Sequence, residues 1–107
     1  MRRVVVTGLG VVSPVGNNVD TFWKNLCDGV CGLDFIKSFP TDDLQSKIAG
    51  EIKDFNPSDY DMPNPFVRKQ DKFTLYAMAA AWQAMRQSGL NAGEDGNIDP
   101  FRLGVYI

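Results

Sequence analysis

Three features of the sequence predict an α/β fold. One is a β-branched run close to the start, one is a pair of segments with helical spacing of apolar residues, and one is a second apolar run at residues 103–107. Residues 3–7 (RVVVT) are bounded by glycine and read as a strand buried on both faces, which Val11 and Val12 extend past Gly8-Leu9-Gly10. Asn17 or Asn18 then offers a helix N-cap. Val19, Phe22, Trp23 and Leu26 follow at i, i+3, i+4 and i+7, with Gly29 as the stop, so a short amphipathic helix is expected over 19–28.

Residues 30–46 carry no clear period, and Ser38-Phe39-Pro40-Thr41-Asp42 reads as loop. Residues 47–52 (KIAGEI) suit a short strand weakened by Gly50. The prolines and turn formers of residues 54–65 predict an irregular connection along the surface. Residues 71–88 (DKFTLYAMAAAWQAMRQS), ended by Gly89, form the clearest helix. Its alanines at 77, 79, 80, 81 and 84 spread around the axis, so it is expected inside a larger body rather than on one face of a small domain. A polar loop spans 91–100. Residues 103–107 (LGVYI) begin another buried-type strand, and the expectation is that residues 1–107 are an N-terminal portion of a longer protein, interrupted inside that strand.

Composition narrows the chemistry. The 107 residues are 44% hydrophobic and 22% charged, the profile of a globular chain, and a core of this size is small. A net charge of −2 argues against a general binder of nucleic acid or anionic membrane. The apolar opening is too interrupted for a signal peptide and nothing approaches a membrane span, which predicts a cytoplasmic protein. There is no histidine, and Cys27 and Cys31 alone cannot complete a zinc site. The two cysteines are expected as buried or half-buried free thiols.

The Gly8-x-Gly10 motif invites a dinucleotide-binding reading, but its context fails. Such a fingerprint needs glycines directly after a strand and opening a helix, whereas Ser13 stands at the third glycine position and the helical pattern starts only near Val19. Asp28, the acid at the right distance, falls at a helix end rather than a strand tip. No cofactor is therefore expected, and Gly8 and Gly10 are read as permitting a bulge or the close approach of another backbone.

The opening "RRVVVTGLGVVSPVGNN", the tryptophan-bearing helix, "GEIKDFNPSDY", "RKQDKF", the alanine-rich helix ending "SGL" and the final "RLGVYI" together resemble the start of a β-ketoacyl-acyl-carrier-protein synthase of the type II, elongating kind. The resemblance runs through all 107 residues in order, and the family chain is several times longer. It implies a partial thiolase-like fold: the N-terminal part of the first half of a five-layered αβαβα architecture, normally a homodimer. It implies an acyltransferase that loads an acyl group from acyl-carrier protein onto a cysteine and condenses it with decarboxylating malonyl-carrier protein, giving a 3-oxoacyl chain. That chemistry needs a thiolate and oxyanion donors. It also needs groups that assist decarboxylation, and the resemblance implies a Cys and two His beyond residue 107. Cys27 and Cys31 do not match the nucleophile, so no catalytic residue is expected among these residues.

Arg68, Lys69 and Lys72 cluster at the start of the long helix, where cations oppose the positive helix end. By charge alone they are either a solvated face or a docking patch. The resemblance implies docking of an acidic carrier protein, more firmly for Arg68 and Lys69 than for Lys72. Where elongating relatives often carry a further basic residue upstream, this chain has Pro65-Phe66-Val67. Phe22, Trp23, Met78, Trp82 and Met85 are read as core at helical spacing, and the resemblance brings Tyr106 and Ile107 near the family's acyl tunnel. Two alternatives stay open: a non-catalytic partner of the same fold, such as a chain-length-determining subunit, and, more remotely, a nucleotide-binding reductase.

Overall fold

The structure, a computed structural model, describes residues 1–107. Helix α1 spans Val19–Cys27, strands β1 (Asp34–Phe35) and β2 (Ile48–Ala49) follow, a 3-10 turn occupies Pro57–Tyr60, and helices α2 (Asn64–Val67) and α3 (Lys72–Ser88) complete the body before a last 3-10 turn at Pro100–Arg102. Asn18 is the residue that caps α1, its side-chain oxygen accepting from the Thr21 N–H at 2.8 Å. Strands β1 and β2 pair antiparallel, Asp34 with Ala49 and Phe35 with Ile48. The predicted 47–52 strand is thus shortened to its Ile48-Ala49 centre, and its partner falls in a stretch where sequence showed no period.

The expected strands at 3–7 and 103–107 are absent. A strand exists only through a neighbour that accepts and donates along its backbone, and neither run has one. Instead the opening segment lies along α3. An added Cβ on Gly8 would come within 2.0 Å of the Ala84 carbonyl oxygen, and one on Gly10 within 1.8 Å of that of Ala80. Two residues of near-extended chain cover about the 6 Å that one helical turn of four residues advances, so the glycines meet successive turns. Side chains of α3 then supply the missing backbone partners. Gln87 Oε1 accepts from the Leu9 N–H at 2.6 Å, and the Gln83 amide bonds both the N–H and the carbonyl of Val11.

Four contact stripes on α3 account for its spread of apolar residues. Leu75 and Ala79 are buried and form the core with Met62, against which Val12, Phe55, Tyr60, Phe66 and Val67 pack. Ala80 and Ala84 face the glycines, Lys72 and Tyr76 line one cleft, and Met78 and Trp82 line another. The helix closes at Gly89, whose φ of 68° places it in the left-handed region that favours glycine.

The rest of the apolar surface is uncovered. The accessible area is 8910 Å², against about 5,900 Å² for a compact monomer of this mass. The radius of gyration is 17.1 Å, against about 13 Å for a compact domain of this length. Val4, Val5, Val6, Val105, Tyr106 and Ile107 are all exposed. Trp23 and Met78, expected as core, are exposed, while Phe22, Trp82 and Met85 are half-buried. Cys27 and Cys31 are likewise exposed rather than buried: Cys27 ends α1, which buries none of its residues, and Cys31 lies on the exposed chain after it. No helix is long and apolar enough to cross a membrane.

Candidate functional site

Helix α2 has Pro63 before it and Pro65 near its start, ring-locked residues that suit a first helical turn. Helical hydrogen bonding runs on past its end. The Arg68 N–H bonds to Asn64, that of Lys69 to Phe66 at 3.0 Å, and that of Gln70 to Val67. Arg68 therefore projects away from Phe66, whereas Lys69, three residues on, shares the face of Phe66. Both cations are exposed and neither forms an ion pair. At the following N-terminus of α3, Asp71 stands at the cap position without a side-chain cap bond and partly neutralises the positive end, and no acid lies in the first turn.

Lys72 faces elsewhere. With Tyr76 it lines a cleft of about 580 Å³ beside Asp34, Lys37, Glu51 and Lys53. Here Glu51 fastens the chain ahead of it: its carboxylate accepts from the Ser38 hydroxyl, from the Lys37 N–H at 2.9 Å and from the Ser38 N–H at 3.2 Å. The Ser38 hydroxyl first, then the Lys37 amide, and more weakly the Lys72 charge, hold the Glu51 carboxyl below its ordinary pKa. Asp34 is lowered as well, chiefly by the Lys37 ammonium, which lies 3.1 Å from it, and then by the Phe35 amide. Of the three residues predicted for docking, Arg68 and Lys69 thus stand exposed as chain neighbours on the turn after α2, and Lys72 lies apart from them in the cleft that holds Asp34, Glu51 and two further lysines.

On the Phe66 side lies a second, more apolar cleft of about 320 Å³, lined by Tyr60, Met62, Pro63, Phe66, Met78 and Trp82, with Asp61 at its rim. Its wall is held from behind. Tyr60 meets Trp82 edge-on at 5.6 Å between centroids, and the Trp82 indole N–H donates to Asp61 Oδ2 at 3.1 Å. The Arg86 guanidinium stacks 4.7 Å over the Trp82 ring and lies 3.8 Å from the same carboxylate. Burial, and then the Asp59 charge, raise the Tyr60 phenol above its ordinary pKa, and its hydroxyl donates to the Asn17 carbonyl at 3.4 Å. Sequence reading missed this cleft. Its one legible signal was Met78 and Trp82 at i, i+4, which spacing alone assigned to core.

The space beside Gly8 and Gly10 is filled by the α3 backbone, and the first helix after them starts nine residues beyond Gly10, at Val19. Asp28 pairs with Lys24 on α1 at 2.5 Å. These glycines have the close-approach role that the failed dinucleotide context predicts.

The family of sequences described as Beta-ketoacyl synthase, N-terminal domain, matches residues 1–107. The chain belongs to this family. Over 106 residues this β-ketoacyl synthase chain is 41% identical to a 3-oxoacyl-[acyl-carrier-protein] synthase 2 of Staphylococcus aureus (strain COL), with 99% of this chain and 25% of that protein covered. It is 42% identical over 106 residues to the protein of the same name from Vibrio harveyi, at the same coverage. Among solved structures it is similar to the ishigamide ketosynthase/chain length factor, with a TM-score of 0.75 and 33% identity over 85% of this chain and 22% of that one. The β-ketoacyl synthase chain spans about a quarter of the length of the curated relatives it matches.

Proposed function

We propose that residues 1–107 are the opening portion of the N-terminal domain of a 3-oxoacyl-[acyl-carrier-protein] synthase. That parent enzyme condenses an acyl-enzyme thioester with malonyl-carrier protein, releases CO2 and extends a fatty acyl chain. The observation that carries this reading is the 41% identity to a synthase of that name along 99% of this chain. The uncovered apolar surface supports it, since Val4–Val6 and Val105–Ile107 have the composition of inner strands of the five-layered αβαβα architecture and lack only neighbours. The chain has no histidine, and its two cysteines lie on and just after an exposed helix, so by itself it is inactive in this reading. The parent is a cytoplasmic homodimer, and Arg68 and Lys69 meet the acidic carrier protein.

A second reading has one observation in its favour: the similar solved structure includes a chain length factor. The chain would then open a non-catalytic partner subunit. Mass spectrometry of the parent protein after incubation with acyl-carrier protein separates the two. A covalent acyl group on a parent cysteine supports the synthase, and a parent that forms its complexes yet accepts no acyl group supports the partner subunit.

A further inference from the structure

We draw no further inference here: the strongest candidate, the cleft between the β1–β2 hairpin and the start of α3, carries nothing, because its three lysines (Lys37, Lys53 and Lys72) stand among three carboxylates (Asp34, Glu51 and Asp54) and nothing in the structure shows what occupies it.

Discussion

Gln83 grips both sides of Val11. Its Oε1 accepts from the Val11 N–H at 3.3 Å while its Nε2 donates to the Val11 carbonyl at 3.1 Å, and the same Nε2 reaches the Asn17 carbonyl at 2.8 Å. One amide from α3 thus does for the opening segment what a neighbouring strand does in a sheet. Replacement by Ala strands the Val11 N–H and carbonyl, both only partly open to water, while the Asn17 carbonyl keeps the Tyr60 hydroxyl, a loss of about 1–3 kcal/mol. Gln83→Glu is expected to be worse near neutral pH, because a carboxylate cannot donate to two carbonyls that face it. Chemical denaturation of the full-length protein, wild type against both variants, gives the order wild type, Ala, Glu in falling stability. A Glu variant as stable as wild type would show that the contact carries no weight.

The glycines of the opening motif differ in what each requires. Gly10→Ala drives a methyl into the Ala80 carbonyl and forces the segment off α3, an overpacking cost of about 1–3 kcal/mol. Gly29 has open space around it but a φ of +70°, so Gly29→Ala costs about 1 kcal/mol through backbone conformation alone. Melting temperatures that fall further for Gly10→Ala than for Gly29→Ala support the close approach. The reverse order contradicts it.

How far the sequence carried the fold depended on where each element finds its partners. Helices α1 and α3 were legible because their bonds are internal, and the caps at Asn18 and Gly89 mark their ends. The strands at 3–7 and 103–107 were not realised, since β-branched composition states a preference that only a neighbouring strand can satisfy. Arg68 and Lys69 were legible as a charged pair, but composition does not record direction. Only the helical turn through Phe66 and Lys69 separates them from Lys72, which the fold turns toward Glu51. The cleft at Trp82 was illegible because it joins α3 to the Tyr60–Phe66 segment, and contacts between distant segments leave no local period.

Acid should release the loop that Glu51 fastens. A carboxyl whose pKa is lowered on folding stabilises the folded form above its ordinary pKa, and that contribution disappears as pH falls through the lowered value. The Ser38 amide resonance, followed by NMR as pH is lowered, is expected to titrate with a midpoint below the ordinary glutamate range, and Glu51→Gln should abolish the transition. A midpoint at or above the ordinary range would contradict the hydrogen-bonded clip.

Charge reversal at Arg68 and Lys69 in the full-length synthase should weaken carrier-protein binding by about tenfold at low salt, with the difference shrinking as salt screens it. Lys72→Glu should do less to binding and more to the Glu51 cleft, because Lys72 lies beside that carboxylate. Surface plasmon resonance across a salt series reads both. Equal sensitivity at all three positions would contradict the division seen in the structure.

Condensation itself tests the central claim most directly. The full-length protein, given an acyl-carrier protein and malonyl-carrier protein, should release CO2 and yield a 3-oxoacyl-carrier protein two carbons longer, followed by mass spectrometry of the carrier-bound chain. A folded parent that binds the carrier protein but releases no CO2 and extends no chain, alone or beside its own wild-type partner subunits, would contradict its assignment as a synthase.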